Sequence, residues 1–438
     1  MKKSLFIVTI SIAIAFTLSG CSGFTGSSGS SNNSEDSGQI TLKFMHRWPK
    51  EPEKSFFEDV VKEFEKKNPK INIETQAVLN NAYKQKIKVL LGSNDQPDIF
   101  FAWSGEYAHN IVRSNKALDL TSYYKKDQNW SGQLVQSAVE PYNFNKKMYG
   151  VPWDLDAKLF FYNKDIFNQL NLNPPKTFDQ LLKVSKELKS NGYIPIAEGD
   201  KDKWPAGHYI GTLNRRVVPD NVIEEDRIRS QGTFENPLYV EALRKLNKIN
   251  KVAFNENINA YKHDKARKFF SNGKAAMAFL EILEIGLYQP NADFESGTFN
   301  FPAIEDGNDK GNPSIISGAP EGFMISSKTE HPDAAMKFLK FLTNKSNGKK
   351  LVNDLGYFSA VKGTLTKDNS TPLMRNAYET LMGAKHLAPW IDTGLDIKVA
   401  NTYLSDIQTM FNGEMTSQQV MKDVQEAATK VRNEAKSN

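Results

Sequence analysis

The chain has 438 residues, 39% of them hydrophobic and 24% charged. That composition supplies a large apolar core, and the length corresponds to roughly two or three domains. Its 56 Lys and Arg stand against 51 Asp and Glu, a net charge of +5 with the signs interspersed, which gives no electrostatic case for a nucleic-acid partner. The single cysteine, Cys21, excludes both a disulfide framework and a Cys-based metal site.

The amino terminus explains that cysteine. Lys2-Lys3 forms a short positive segment, and the 14 residues Leu5 to Leu18 form an apolar run. That run is shorter than the ~20 residues a spanning helix needs and reads as the apolar part of a signal peptide. It ends in Leu18-Ser19-Gly20-Cys21, which resembles the lipobox of bacterial lipoproteins. The resemblance implies a diacylglycerol on the Cys21 sulfur and removal of residues 1–20. The alternative is an ordinary secretory signal that happens to contain a cysteine. Ser22 to Gly38 then holds 11 Ser or Gly in 17 residues. Residues 21–39 therefore read as the lipidated Cys and a flexible tether, with a reach of about 23 Å. A body on such a tether is held at the outer face of the cell membrane.

From Ile40 onward strands and helices alternate. Ile40 to Phe44 alternates apolar and polar residues as a strand does. Lys54 to Lys67 carries Phe56, Phe57, Val60, Val61 and Phe64 on one helical stripe. Ile71 to Glu74 alternates again, Ala82 to Leu91 reads as a helix, and Asp98 to Phe101 reads as a short strand. Thr177 and Gln180 open a helix with a capping box, and Leu181, Leu182, Val184, Ser185 and Leu188 face inward. Ala275 to Phe279 reads as a buried strand. Pro332 starts a helix with Ala334, Ala335, Phe338, Leu339 and Leu342 apolar. Thr416 and Gln419 cap a last helix carrying Val420, Met421, Val424, Ala428 and Val431. The fold class is α/β, and the alternation predicts βαβ units with a largely parallel sheet.

Seven pieces occur in order: Asn68-Pro69-Lys70-Ile71, Pro97-Asp98-Ile99, Tyr149-Gly150-Val151-Pro152, Phe161-Tyr162-Asn163-Lys164-Asp165, Pro174-Pro175-Lys176-Thr177-Phe178, Asn272-Gly273-Lys274-Ala275-Ala276-Met277 and Ala334-Ala335-Met336-Lys337-Phe338-Leu339. Together they resemble the carbohydrate-binding lipoproteins of bacterial ABC importers, relatives of the maltose-binding protein. The resemblance runs from about residue 40 to the end. It implies a two-lobe periplasmic-binding-protein-like fold with a ligand cleft between the lobes and three hinge crossings, near Tyr149–Asp154, Asn300–Ile304 and Tyr357–Val361. The lobes would be residues 40–150 with 304–357, and 151–303 with 358–438. The implied partners are a carbohydrate and the permease subunits of an importer. The chain would act as a monomer, with the membrane reached through Cys21 and no cofactor.

A sugar offers hydroxyls to planar polar groups and C–H patches to aromatic faces, so its site needs Trp or Tyr beside polar residues at strand ends. Five of the six tryptophans fit that description. Trp48 follows the first strand in His46-Arg47-Trp48-Pro49, and Trp103 follows the third, ahead of Glu106. Trp153 precedes Asp154 and Asp156 at the first crossing, Trp204 ends a polar loop, and Trp390 lies two residues before Asp392. The candidate acids are Glu106, Asp154, Asp156, Glu281, Glu284 and Glu321. Glu321 lies in the turn Ser317–Gly322, where glycine lets the backbone approach a ligand. Glu281 lies in Leu280-Glu281-Ile282-Leu283 where the family often carries Gly-x-Trp, a departure that removes a stacking ring and puts a carboxylate near it. Either His46 or Arg47 could serve a hydroxyl, with His46 favoured, and Tyr83 could stack at the cleft edge. Each of these aromatic and polar residues also has a plain packing or ion-pairing reading.

Catalytic motifs are absent from the sequence: there is no Gly-x-Ser-x-Gly, Gly-x-x-x-x-Gly-Lys or Gly-x-Gly-x-x-Gly. The six histidines show no His-x-x-x-His or His-x-His spacing that would support a metal site. The expected function is sugar capture for import, with a di- or oligosaccharide as ligand and no catalysis. The rival readings are a surface glycoside hydrolase using paired carboxylates and a carbohydrate-binding adhesin.

Overall fold

The computed structural model describes residues 38–304, 314–384 and 386–437, whose elements belong to one body, Gln39–Asn438. Cys21 and the leader before it lie outside the described residues. The body begins with β1 (Ile40–His46), α1 (Glu53–Lys67), β2 (Ile71–Ala77), α2 (Asn80–Gly92), β3 (Ile99–Trp103) and α3 (Glu106–Arg113). It continues through β4 (Gly150–Leu155), β5 (Lys158–Asn163), α4 (Phe178–Ser190), β6 (Ile194–Ala197), α5 (Trp204–Val217), β7 (Ala275–Glu281) and β8 (Ser296–Phe299). Then follow β9 (Glu321–Ile325), α6 (Pro332–Leu342), β10 (Phe358–Ser359), α7 (Ile391–Gly394), α8 (Ile397–Phe411) and α9 (Ser417–Ser437).

Two sheets organise these elements. The first has six strands in the order β10–β4–β9–β3–β1–β2 and the second has four, β8–β5–β7–β6. In the first, β2, β1 and β3 run parallel, but β9 is antiparallel to both β3 and β4, and β10 is antiparallel to β4. In the second, only β6 and β7 are parallel. The sheets are thus mixed, where the alternation of elements predicted largely parallel ones. The cause is the route of the chain. β4 carries it out of the first sheet and β9 brings it back, so the returning strands pair head to tail and need no crossover helix. β4 lies in the first sheet to its end at Leu155, so the first passage between sheets is the short link to Lys158 rather than a crossing ending at Asp154.

Local sequence explains the helices. The α1 stripe Phe56, Phe57, Val60, Val61 and Phe64 is buried, with Glu53. In α6 the expected apolar face is buried and Met336 joins it. Thr416 and Gln419 form a full capping box on α9, with Thr416 Oγ1 accepting from the Gln419 N–H and Gln419 Oε1 from the Thr416 N–H. At α4, Thr177 Oγ1 accepts from the Gln180 N–H, while Gln180 Oε1 accepts from Lys176, one residue before the expected position.

One core surrounds the first sheet and α1, and another surrounds the second sheet with α4, α5, α8 and α9. A third cluster, including Leu155, Ala157, Leu159, Ile282 and Phe358, lies under the link between the sheets. Phe44 is fully enclosed, its ring 5.1 Å from Phe338, 5.3 Å from Phe323 and 5.8 Å from Phe57. Phe44→Ala should therefore lower the free energy of unfolding by about 3–5 kcal/mol. Urea denaturation followed by tryptophan fluorescence measures this, and a loss below about 1 kcal/mol would mean that the first core does not depend on this ring.

Candidate functional site

The first wall of the site is set by the register of β9. Glu321 pairs with Trp103 on one side and with Asp154 on the other, so three chemically active residues lie abreast at one end of the sheet. The loop after β1 adds Arg47 and Trp48. Arg47 forms an ion pair with Glu321, and the Glu321 N–H donates to Asp154 Oδ1 at 3.1 Å. The guanidinium lies 4.6 Å from the Trp48 ring and 5.0 Å from Phe101. Gly322 follows Glu321 because a Cβ there would come within 2.3 Å of the Val151 carbonyl oxygen, and one at Gly318 within 2.4 Å of that of Asp156. These glycines of the 317–322 turn admit the neighbouring backbone of β4 and the link after it.

The second wall comes from the other sheet. Lys158 pairs with Glu281 across β5 and β7. Lys158 Nζ donates to the Phe279 carbonyl at 3.1 Å and lies 5.2 Å from the Trp204 ring. Trp204 opens α5, and His208, one turn later, stacks on Trp390 at 4.1 Å. Glu284 is held by His263 Nε2 at 2.9 Å and Arg267 Nη1 at 2.7 Å, and accepts from the Glu281 N–H at 2.9 Å. It is a clamp inside the wall. The walls meet where Lys84 Nζ donates to Asp392 Oδ2 at 2.8 Å while lying 4.6 Å from the Trp103 ring.

The structure thus brings together Trp48, Trp103, Asp154, Glu321, Trp204, Glu281 and Trp390, and it sets four candidates apart. Tyr83 is fully buried and its hydroxyl donates to the Phe101 carbonyl, so it packs rather than stacks on a ligand. His46 lies beneath Trp48, its ring 4.2 Å from Phe57 and its Nδ1 accepting from the Trp48 N–H. Trp153 is enclosed by Trp48, Phe57 and Tyr357 and offers no free face, although its Nε1–H has no partner among the described residues. Glu106 pairs with Arg113 and lines a cavity of about 290 Å³ between α2, α3 and the 392–397 segment, which the Lys84–Asp392 contact borders, away from Asp154 and Glu321. Sequence reasoning missed Lys84, Lys158 and His208. Lys158 had a signal, as the one charge in the run Ala157–Phe161.

The family model of the bacterial extracellular solute-binding proteins matches residues 48–349. This chain belongs to that family. Among relatives of this solute-binding protein, an uncharacterized ABC transporter extracellular-binding protein of Pyrococcus horikoshii is 26% identical, over 97% of this chain and 94% of that one. The multiple sugar-binding protein of Streptococcus mutans is 25% identical, over 76% of this chain and 78% of its own length. A solved structure from work on xylan utilization by the thermophilic bacterium Caldanaerobius polysaccharolyticus is 27% identical, with a TM-score of 0.82 over 88% of this chain and 99% of that one. The fold of this solute-binding protein is accordingly two lobes around a cleft. No helix among the described residues is long and apolar enough to cross a membrane.

Electrostatics mark the same place. Burial, reinforced by Glu321, pushes the Asp154 carboxyl well above its ordinary range, and burial reinforced by Glu281 does the same to Asp156. Burial also raises Glu281, although Lys158 opposes it. Burial works against the charge on Arg47, but Glu321 outweighs it and holds the guanidinium charged. Burial, with Lys158 nearby, keeps His208 neutral, and burial alone lowers His46 to about 3. For Asp154 the folded value lies above the unfolded one near 3.8. Its contribution to stability is therefore full below pH ~3.8 and is lost as pH rises through the folded value. Asp154→Asn removes that loss, so relative to the wild type the variant should gain stability between pH 5 and pH 8. Urea midpoints at the two pH values test this, and an unchanged difference would show Asp154 to be ionised throughout.

Proposed function

We propose that this solute-binding protein captures a di- or oligosaccharide between its lobes and delivers it to the permease subunits of an ABC importer. It acts as a monomer without turnover, tethered to the outer face of the membrane through a diacylglycerol on Cys21. The lobes divide at the 155–158 link, at the return before Glu321 and at the passage after Ser359. Closure about these three crossings brings Trp204 and Trp390 toward Trp48 and Trp103. The observation that carries the reading is the register that sets Trp103 abreast of the buried carboxylates Asp154 and Glu321, with Arg47 paired to Glu321 and seated over Trp48. Indole faces take the C–H patches of sugar rings and carboxylates accept from their hydroxyls. The names of the relatives, a multiple sugar-binding protein among them, support the same ligand class.

A thermal-shift screen over neutral di- and oligosaccharides should find at least one that raises the melting temperature, because a ligand of the native state alone stabilises it. For that sugar, Trp48→Ala combined with Trp103→Ala should abolish detectable binding in calorimetry with the fold retained. Wild-type affinity in the double variant would remove both rings from the site. Lys84→Ala, which cuts the contact between walls, should weaken binding by about two- to fivefold, the range of a partly exposed ion pair. Release of reducing ends from an oligosaccharide by the purified protein would replace capture with hydrolysis.

A further inference from the structure

The charges around the link between the sheets are unbalanced. Each nearby cation has its charge engaged: Arg47 by Glu321, Lys84 by Asp392, Arg267 by Glu284. Lys158 is held between the Phe279 carbonyl and Glu284, 4.0 Å away. The carboxylates are not matched in the same way. Asp154 and Asp156 are essentially fully buried, and among the described residues their oxygens accept from backbone N–H groups, of Glu321 and Ala157. Asp154 Oδ2 has no hydrogen-bond partner among the described residues. Glu281 accepts from the Glu284 N–H and has His208 at 3.8 Å, an imidazole that burial keeps neutral, while Lys158 opposite it in register offsets its burial only in part. Among the described residues a ligand brought here meets acceptors with capacity to spare and no cation left without a carboxylate or carbonyl partner.

We propose that this protein excludes sugars carrying a carboxylate, and that Asp154, Asp156 and Glu281 impose the exclusion by facing the ligand with no Lys or Arg in direct ion pair with them, the nearby cations being held by other partners. The proposal rests on the sugar reading above and narrows it to uncharged or basic sugars. A uronic acid placed against these groups is repelled if they are ionised, and finds no unengaged positive partner if they are protonated. Like charges juxtaposed in a dry interface cost several kcal/mol, which corresponds to a loss of about a hundredfold or more in affinity. A hydroxyl or ammonium group in the same place donates to Asp154 Oδ2.

The test uses matched pairs: each neutral oligosaccharide of the thermal-shift screen beside the same molecule with a terminal hexose oxidised at C6 to the uronic acid. Calorimetry should show the oxidised member binding about a hundredfold or more weaker than the neutral one. Asp154→Asn and, independently, the less buried Glu281→Gln should narrow that gap. A loss caused by shape alone would persist in both variants and would overturn the charge assignment. Equal or tighter binding of the oxidised member would overturn the exclusion itself. If no neutral sugar binds, the sugar reading has failed separately, and the charge rule is read from glucuronate and citrate against glucosamine and spermidine. A melting shift with either anion, or none with any of the four, overturns it, while a shift confined to the cations upholds it.

Discussion

The cleft depends on the register of one antiparallel strand. β9 lies between β3 and β4, and its first residue sits opposite Trp103 on one side and Asp154 on the other. Side chains alternate faces along a strand, so a shift of one residue would turn Glu321 away from Arg47 and put Gly322 in its place. Gly322 and Gly318 hold the register, because both sit where neighbouring backbone leaves no room for a Cβ. The ion pair of Arg47 with Glu321, the hydrogen bond from Glu321 to Asp154 and the seating of Arg47 over Trp48 all follow from that alignment.

Folding and binding pull against each other at this point. Buried charges are tolerated where they are paired and hydrogen-bonded, and the protein does this for Glu284, held by His263, Arg267 and the Glu281 N–H. It does not do it for Asp154 and Asp156, which lie within the same few residues of chain that join the sheets. A core built for stability alone would carry apolar side chains there. Keeping a buried carboxylate oxygen of Asp154 with no hydrogen-bond partner among the described residues costs stability, a cost that the proposed ligand would offset by supplying a donor.

Much of this was legible in the sequence, and what was not has a physical reason. The helices α1, α4, α6 and α9 declared themselves through apolar stripes and caps, because helical amphipathicity is local. The direction of the strands did not, since β4 and β9 pair across a separation of more than 150 residues and no local period records such a pairing. Trp48 and Trp103 were readable as residues of the strand ends beside Glu321, because each comes at or just past the end of a strand. Trp153 misled, because Asp154 beside it suggested a loop, whereas both belong to β4 and the indole joins the core of the first lobe. Tyr83 and His46 have polar atoms that suit a ligand, yet the Phe101 carbonyl and the Trp48 N–H already occupy them. His208 sits inside an otherwise buried helix face, and only the fold shows that Trp390 covers it.

The contact between the walls bears on how the protein holds and releases what it binds. Lys84 joins α2 to α7 through Asp392, and the two side chains keep 29% and 12% of their exposure. An ion pair so placed is worth about 0–1 kcal/mol, too little to hold two lobes closed by itself. Closure must draw most of its free energy from something that differs between open and closed states. On the proposed reading the first candidate is the oxygen of Asp154 that has no hydrogen-bond partner among the described residues, which a ligand between the walls would supply with a donor. Lys84 also lies over Trp103, so the contact between the walls is packed on a ring of the proposed ligand site, and on that reading the ligand and the contact would share one surface.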